Sequence, residues 1–320
     1  MAEFKVLIAD SRYDSYAQEE SVLEPLDVEI VIERSDEEDE LVKQVADVDG
    51  LIVNLAPVTA RVVEAMTRCR CVSRYGVGYD NVDTGALKQK GIPLVNVPGY
   101  CAEDVSDHAV ALLMDCVRKI SRKDRAVRRG EWDLAGVQKV HRVSGRTFGF
   151  IGYGAIARVL HRKLCGFELG RVLVSDPFVP EETIRNAGAQ PVDFETVLRE
   201  SDYVSLHAPL LPETQGMIGA GQLAMMKDTA ILVNTSRGPL VDEAALVEAL
   251  KAGQIACAGL DVHETEPLAA ESELRSLENV TLTDHAGWYS EESLVDLKTK
   301  AARNVAEVLK GNPPPNLVRL

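Results

Sequence analysis

Short apolar runs and amphipathic segments alternate along the first third of the chain. The first run, Phe4–Ala9, predicts a buried strand, and valine- or isoleucine-rich runs recur at Val28–Ile32, Leu51–Leu55, Cys71–Ser73 and Pro93–Val97. The segments between them have helical patterns, at Glu37–Val45, Ala60–Thr67 and Asp83–Lys90. Strands and helices that alternate at this spacing predict a parallel α/β sheet.

A longer helical pattern follows. Apolar residues recur at three- and four-residue spacing at Val105, Ala109, Leu112, Leu113, Cys116, Val117 and Ile120. The second half is basic, with Arg118, Lys119, Arg122, Lys123, Arg125, Arg128 and Arg129. This basic run has no interleaved aromatic residues, which disfavours a nucleic-acid site. We expect a solvated or subunit-facing helix end.

The strand–helix alternation starts again at Thr147. Strands are predicted near 147–151, 171–175, 203–207, 230–234, 255–261 and 280–283. Two such series joined by a long helix predict two doubly wound domains. A last helix is predicted at about 291–310, before the Pro313–Pro315 breaker, and periodicity alone leaves open which domain it joins.

Composition and charge narrow the class of protein. The 320 residues suit about two domains, and 46% hydrophobic with 27% charged residues is typical of a globular chain. The longest uncharged stretch, Thr214–Met226, is shorter than the roughly 20 residues of a membrane-spanning helix. The net charge is −15, from 35 basic and 50 acidic residues. Neither nucleic acid nor membrane is therefore an expected partner.

We expect the six cysteines to be small, buried side chains that pack like hydrophobic residues. None forms a CxxC pair, and Cys69 and Cys71 have no nearby histidine, so no metal site is expected. Glu3 and Lys5 interrupt the first apolar run, which argues against a signal peptide. Free thiols in such a chain indicate a cytoplasmic location.

A glycine motif marks a nucleotide site. Gly152-Tyr-Gly154-Ala-Ile-Ala157 follows an apolar strand and opens a helical segment. Gly152 allows a tight turn, Gly154 lets a pyrophosphate approach the backbone, and Ala157 replaces the third glycine, where close helix–strand packing is needed. The first N–H groups of the helix then face the phosphates.

Asp176 extends this motif, because it ends the next predicted strand, Arg171–Ser175. A carboxylate there binds the ribose hydroxyls and repels a 2′-phosphate. The following Pro177–Pro180 segment offers no Arg or Lys to hold that phosphate, so NAD is favoured over NADP. The alternative for Asp176 is a helix-cap or turn aspartate.

Three polar residues follow later predicted strands: Arg237, Glu266 and His285. Ligands of open α/β sheets bind beyond the carboxyl ends of the strands, so these side chains can converge on one crevice. An arginine can polarise the 2-oxygen and hold a carboxylate, a histidine can move the hydroxyl proton, and a carboxylate can hold the imidazole in its charged form. This set predicts hydride transfer between NAD and a 2-hydroxy acid.

The chain resembles the NAD-dependent D-isomer-specific 2-hydroxyacid dehydrogenases along nearly its whole length, and the matching motifs occur in the same order. The matching stretches are Arg74–Asp83, Gly149–Ala157, Asp176–Phe178, His207–Pro209, Asn234–Gly238, Asp261–Pro267 and His285. The resemblance implies Arg237 as the substrate-binding arginine, Glu266 as the carboxylate partner and His285 as the acid/base. It also implies that Asp261 lies near the nicotinamide amide.

The resemblance further implies how substrate and cofactor are held. Backbone N–H groups of Gly76, Val77 and Gly78 would bind the substrate carboxylate in an anion nest. The full set of residues expected to bind NAD is Gly152, Gly154, Ala155, Ile156, Asp176, His207, Ala208, Pro209, Thr214, Thr235, Ser236, Arg237, Asp261, His285 and Gly287.

The family fold also settles the domain organisation that we expect. The resemblance implies that residues 1–102 and 290–320 form a flavodoxin-like substrate domain, into which residues 103–289 insert as a Rossmann NAD-binding domain. The family is typically dimeric through the long-helix region, so a homodimer built on about 103–145 is expected.

Two stretches, Gly259–Pro267 and His285–Glu291, are most similar to the C-terminal-binding-protein branch, whose members are NAD-binding transcriptional corepressors as well as dehydrogenases. In that branch Arg74 is a second carboxylate-binding candidate. Trp288 is a candidate pocket wall, with ordinary packing as its alternative. Asp284 departs from the family, which usually has Pro before the histidine.

The leading interpretation is an enzyme that interconverts a D-2-hydroxy acid and a 2-keto acid. The alternative of another class is an NAD-responsive interaction module with a vestigial dehydrogenase site, and a formate-type or phosphite-type dehydrogenase is a variant of the first. The complete set of Arg237, Glu266 and His285 favours the enzyme. The substrate side chain is expected to depend on loops around Tyr75, Tyr79, Tyr100 and Trp288, whose geometry one sequence does not determine.

Overall fold

The computed structural model describes residues 2–132 and 139–318. Its strands are β1 (Phe4–Ala9), β2 (Val28–Glu33), β3 (Gly50–Val53), β4 (Val72–Arg74), β5 (Leu94–Val95), β6 (Thr147–Ile151), β7 (Arg171–Ser175), β8 (Gln190–Pro191), β9 (Tyr203–Leu206), β10 (Ile231–Asn234), β11 (Cys257–Leu260) and β12 (Val280–Leu282). Its α-helices are α1 (Ala17–Leu23), α2 (Glu38–Gln44), α3 (Ala60–Ala65), α4 (Thr84–Lys90), α5 (Ala102–Arg118), α6 (Ile120–Arg128), α7 (Ala155–Leu164), α8 (Glu181–Asn186), α9 (Phe194–Glu200), α10 (Ala220–Leu223), α11 (Glu243–Lys251) and α12 (Glu291–Leu309).

The chain divides into two compact units, Met1–Tyr100 with Ser290–Leu320 and Cys101–Tyr289. The first unit holds a parallel sheet of order β2-β1-β3-β4-β5, which is the flavodoxin-like order. Helix α12 packs on α1, β3 and β4. A Cβ on Gly50 of β3 would lie 2.7 Å from Cγ1 of Val305, so the absence of a side chain at Gly50 lets α12 approach the sheet.

The second unit holds a seven-stranded parallel sheet of order β12-β11-β10-β9-β6-β7-β8. Counted from β6, this is the Rossmann order with one further strand. Phe148 and Phe150 of β6 join the apolar cluster on one face, and Ile151 joins the cluster on the other. Both faces are therefore covered, as parallel sheets require, and the prediction of two doubly wound domains is confirmed.

The long helix differs from its prediction. It breaks at Lys119, whose φ is +59°, into α5 and α6. Asp115 holds the break, because its carbonyl accepts Lys119 N at 2.6 Å and its Oδ1 accepts Ser121 N at 2.7 Å. The pattern also missed α1, which is rich in acidic residues, and β8, which has only two residues.

The carboxyl ends of the seven strands lie at one edge of the sheet in the second unit. Residues that directly follow six of these strands are Gly152, Asp176, His207, Thr235, Asp261 and Thr283. The fold therefore brings most of the predicted cofactor residues to one edge. No helix in the described part of the chain is long and apolar enough to cross a membrane.

Candidate active site

The glycine motif has the geometry of a phosphate-binding turn. Gly152 has φ +87°, and a Cβ there would lie 2.6 Å from the carbonyl carbon of His207 and 2.7 Å from Ala208 N. A Cβ on Gly154 would meet nothing within 4 Å, and Gly154 precedes α7, which has no side-chain cap. The first N–H groups of α7, from Ala155 and Ile156 onward, are therefore placed to bind phosphate.

Asp176 ties this turn to the end of β7. Its Oδ2 accepts Tyr153 N at 2.7 Å, and its Oδ1 accepts Phe178 N at 2.8 Å and Val179 N at 3.2 Å. Asp176 therefore stabilises a turn, which was the alternative interpretation of this residue. It also lies next to the glycine motif. A cavity of about 380 Å³ beside it is also lined by Glu181 and Asp193, so this pocket is acidic.

The strand-end loops contain a buried hydroxyl that suits a ligand. Thr235 Oγ1 is buried and makes no hydrogen bond within the described residues. Its neighbour Ser236 donates from Oγ to the Ala208 carbonyl at 2.6 Å, and Thr214 donates to the Pro209 carbonyl at 2.7 Å. Since buried polar groups are normally satisfied, Thr235 Oγ1 fits a bound polar partner, and the cradle as a whole fits a dinucleotide.

Glu266 and His285 form a hydrogen-bonded pair. His285 Nδ1 lies 2.7 Å from Glu266 Oε2, and Glu266 Oε1 accepts His263 N at 3.0 Å. Burial opposes ionisation of Glu266, but the hydrogen bond and charge of His285 outweigh it and lower the pKa of the carboxyl. An ionised carboxylate on Nδ1 assigns the proton there and leaves Nε2 to exchange a proton.

The backbone of His285 is strained. Its φ is +59°, a left-handed conformation that is uncommon for a residue other than glycine. Asp261 holds this turn, because its carbonyl accepts His285 N at 2.8 Å while Oδ1 accepts Ala286 N at 2.9 Å and Oδ2 accepts Gly287 N at 3.0 Å. Such strain persists only where the surroundings enforce it, and it is concentrated at functional sites.

Sequence reasoning missed two residues that support this loop. His108 Nε2 lies 2.9 Å from Thr283 Oγ1 and 3.2 Å from Asp261 Oδ1, and Thr283 Oγ1 donates to Asp261 Oδ1 at 2.7 Å. Burial opposes ionisation of Asp261, but these hydrogen bonds and Gly287 N lower its pKa to about 2. The sequence pattern by itself assigns no function to His108. Its place on the apolar face of α5, near Val105, was the signal available.

The Arg237 turn packs directly on the segment that leads to Glu266. Asn234 shapes the turn, with Nδ2 donating to the Arg237 carbonyl at 2.8 Å, and Arg237 Nη1 donates to the Ser236 carbonyl at 2.8 Å. A Cβ on Gly238 would lie 1.8 Å from the carbonyl oxygen of His263. Only glycine allows this approach, which brings the loops of Arg237 and Glu266 together.

The first unit has its candidate groups for binding the substrate carboxylate at the end of β4 and on the loop after it. Gly76 has φ +124°, and a Cβ there would be 2.0 Å from Arg74 Nη1, so the guanidinium lies across the glycine. The Gly76 carbonyl accepts a hydrogen bond from Val97 N at 2.8 Å. The carbonyl of Val77, an exposed residue, accepts one from Asn96 Nδ2 at 2.8 Å. Gly78 follows on the same loop.

Other expected pocket residues are placed differently. The Tyr75 side chain is only 2% exposed, so it lies in the core and does not line an open pocket. Trp288 packs edge-on against Tyr289, with ring centroids 5.6 Å apart, and its role as a pocket wall stays a prediction. Asp284, which replaces the usual proline, is exposed.

Known proteins are similar to this chain over most of its length. A family model described as D-isomer specific 2-hydroxyacid dehydrogenase, NAD binding domain, matches residues 110–287. A glyoxylate reductase of Korarchaeum cryptofilum is 43% identical over 282 residues, covering 87% of this chain and 85% of that protein.

Solved structures agree as well. A glyoxylate reductase from Paecilomyes thermophila superposes with a TM-score of 0.90 at 28% identity, covering 99% of each chain. An NAD-dependent formate dehydrogenase from Staphylococcus aureus in complex with NAD gives a TM-score of 0.89 at 26% identity, again over 99% of each chain.

These relatives carry enzyme names and favour the enzyme over the interaction module. They do not confirm the placement in the C-terminal-binding-protein branch, which stays a prediction. With this much of the chain matched, the protein belongs to the D-isomer-specific 2-hydroxyacid dehydrogenases and is an NAD-dependent oxidoreductase of 2-hydroxy and 2-keto acids.

Proposed function

We propose that this dehydrogenase reduces small 2-keto acids of the glyoxylate type with NADH, and that Arg237, Glu266 and His285 are its catalytic residues. The observation that carries the proposal is the 2.7 Å pair of His285 Nδ1 and Glu266 Oε2, on a loop that packs against the Arg237 turn. The glyoxylate class is supported by a 43% identical relative with that name. The 26% identical formate dehydrogenase supports the formate-type variant less.

Each side chain has a distinct part in this reaction. When bound, NADH supplies the hydride to the carbonyl carbon. Arg237 holds the substrate carboxylate and polarises the 2-oxygen, since a guanidinium offers several donors in a fixed plane. Protonated His285 gives its Nε2 proton to the oxygen as the hydroxyl forms, and Glu266 stabilises the imidazolium before that step.

The cofactor is held by the second unit in this proposal. The N-terminus of α7 and Gly154 take the pyrophosphate, Asp176 takes the adenosine ribose, and Thr235 Oγ1 binds a polar group of the cofactor. Asp261 and the His285 loop would hold the nicotinamide end. The absence of a side chain at Gly152 and at Gly154 supports this assignment, as does the buried Thr235 hydroxyl, which has no hydrogen-bond partner among the described residues.

The first unit is proposed as the substrate domain. There Arg74 is a second group for the substrate carboxylate, and the N–H groups of Gly76, Val77 and Gly78 are further candidates. The position of Arg74 across Gly76 supports the view that this loop presents positive charge and backbone donors together. A cytoplasmic location is proposed as well, since all six cysteines are free.

A panel of keto acids tests the function. Glyoxylate, pyruvate, hydroxypyruvate and 3-phosphohydroxypyruvate are offered with NADH, and the loss of NADH absorbance is followed. We expect the highest kcat/KM with glyoxylate or hydroxypyruvate. His285→Ala is expected to lose roughly two to four orders of magnitude in kcat, the usual scale for a positioned acid or base. No turnover of any 2-keto acid by the native protein would refute the proposed function.

A further inference from the structure

A buried polar cluster in the first unit is used by no step described so far. It consists of Asp10, Tyr13, Tyr16, Glu19, Tyr75 and Lys298, and we refer to it as the Glu19 cluster. Glu19 is 0% exposed and Lys298 is 3% exposed. Burying a carboxylate and an ammonium costs more than burying apolar side chains of the same size, so such pairs often have a role other than stability.

Tyr75 connects the Glu19 cluster to Arg74–Gly78, the segment that is proposed to bind the substrate carboxylate and that we call the substrate loop. Its hydroxyl donates to Glu19 Oε1 at 2.5 Å, while its backbone stands between Arg74 and Gly76. Its ring also packs edge-on against Tyr13, with centroids 5.6 Å apart. The side chain of Tyr75 is therefore an anchor that points into the core while its two neighbours form the loop.

Lys298 on α12 holds the other side of the carboxylate. Its Nζ lies 3.6 Å from Glu19 Oε2, donates to the Ser15 carbonyl, and stands over the rings of Tyr13 and Tyr16 at 4.8 Å and 5.0 Å. Glu19 Oε2 accepts no hydrogen bond from the described residues, so Lys298 is the cation that balances it.

Asp10 completes the Glu19 cluster at the end of β1. Its Oδ2 accepts Tyr16 OH at 3.0 Å and Tyr13 N at 2.9 Å, and its Oδ1 accepts Asn54 Nδ2 at 2.8 Å. The ends of β1 and β3 are thus joined to the loop that carries Tyr13 and Tyr16. Asp10 therefore holds Tyr16 through its hydroxyl and Tyr13 through its backbone N–H.

We propose that Glu19 and Lys298 are positioning residues for the substrate loop and act through the Tyr75 hydroxyl. They set the backbone of Tyr75, and through it the place of the Arg74 guanidinium and of the Gly76–Gly78 N–H groups. This inference rests on the role proposed above for Arg74. It predicts that substrate binding depends on residues deep in the core that never touch the substrate.

The test compares Tyr75→Phe and Glu19→Gln with the native protein. Tyr75→Phe removes only the hydroxyl, and Glu19→Gln keeps the shape but removes the charge that Lys298 balances. We expect each to raise KM for glyoxylate by about 10-fold, the order of magnitude of one hydrogen bond to a charged group. The kcat is expected to change less than about 2-fold, and the Kd of NADH, measured by fluorescence, to stay the same.

Two control variants separate positioning from general loss of stability. Lys300→Met removes an exposed cation from the same helix, where it pairs with Asp296, and should leave KM unchanged. Ile52→Val opens a small gap in the same sheet at a fully buried position and should lower the melting temperature without a change in KM.

Three outcomes would overturn the inference. One is a native KM in both Tyr75→Phe and Glu19→Gln. Another is a rise in KM in Ile52→Val at an equal loss of melting temperature, which would show a merely structural effect. The third is a native KM in Arg74→Lys, which removes the proposed role of the loop itself. If Arg74→Lys raises KM and the two cluster variants do not, the inference alone fails and the function stands.

Discussion

The carboxylate of Glu266 is held at both oxygens, by His263 N and by the His285 ring. Its lowered pKa keeps it ionised through the neutral range, although burial works in the opposite direction. A neighbouring negative charge favours the imidazolium over the neutral ring. In the proposed mechanism keto-acid reduction consumes a proton from His285, so Glu266 should extend reduction toward higher pH.

We therefore predict that Glu266→Gln moves the alkaline limb of the reduction profile to lower pH, since the neutral amide no longer stabilises the imidazolium. Oxidation of the hydroxy acid, which needs the neutral ring, should become easier at lower pH in the same variant. Initial rates in both directions between pH 5 and 10 measure this. An unmoved profile in Glu266→Gln together with an inactive His285→Ala would show that the pair is wrongly assigned.

At Asp176 one carboxylate has two functions. It holds Tyr153 N and the Phe178 turn, and it lines an acidic cavity with Glu181 and Asp193. Holding the turn needs acceptor oxygens, whereas the proposed repulsion of a 2′-phosphate from this cavity needs negative charge. Substitution by asparagine removes the charge, while its single carbonyl oxygen can still accept from one side of the turn, either Tyr153 N or Phe178 N.

Native protein should bind NADH much more tightly than NADPH, and Asp176→Asn should reduce that preference by about 10-fold, or roughly 1.4 kcal/mol. Glu181→Gln is the matched control in the same cavity, and its effect should be smaller. Fluorescence titrations with both cofactors give the two ratios. Equal affinities in the native protein would remove the selective role from Asp176.

Among the helices, α5 and α6 were predicted as one long helix, but the structure has two helices with different surroundings. The apolar stripe of α5, which motivated a subunit interface, is buried within its own unit against β10, β11 and β12. The exposed apolar residues of the expected stretch come after α5, at Ile120 (58%), Val127 (53%), Trp132 (91%) and Val140 (43%). The expected dimer stretch of about 103–145 includes residues 133–138, which lie outside the described residues.

We predict a homodimer to which α6 and Trp132 contribute. An exposed tryptophan is a typical interface anchor, and Trp132 follows a helix that has two further exposed apolar side chains. Light scattering at micromolar concentration should give twice the chain mass, and Trp132→Glu should shift the protein to the monomer. Phe178→Glu is a control, since Phe178 is also strongly exposed (86%) but lies outside the stretch. A monomeric native protein would contradict this prediction.

On the scale of the whole molecule, the two units have separate sheets and separate apolar clusters. The residues proposed for the cofactor all belong to the seven-stranded unit. A ligand stabilises what it binds, by about 2.7 kcal/mol when present at 100 times its Kd. NADH should therefore protect the two units unequally.

Hydrogen exchange with and without NADH measures this difference. We predict the largest gain in protection around the Gly152 turn, the start of α7 and the His285 loop, and a small gain in β1 and β2 of the other sheet. Equal protection of both sheets would mean that the cofactor acts on the chain as one cooperative body.

Much of this architecture could be predicted from local pattern alone. Valine- and isoleucine-rich runs separated by amphipathic segments require a parallel sheet, because such strands must be buried on both faces. The Gly152–Ala157 motif with Asp176 also identified the cofactor, since each glycine answers a local steric need at a known spacing from the strand. These inferences involve residues close together in sequence.

What only the tertiary structure decided involves residues far apart in sequence. The left-handed His285 depends on Asp261, which in turn depends on Thr283 and on His108 from another helix. The anchoring of Tyr75 depends on Glu19 and on Lys298 near the other end of the chain. No spacing rule connects such positions, because a hydrogen bond between distant residues exists only once the packed core has brought their side chains within about 3 Å of each other.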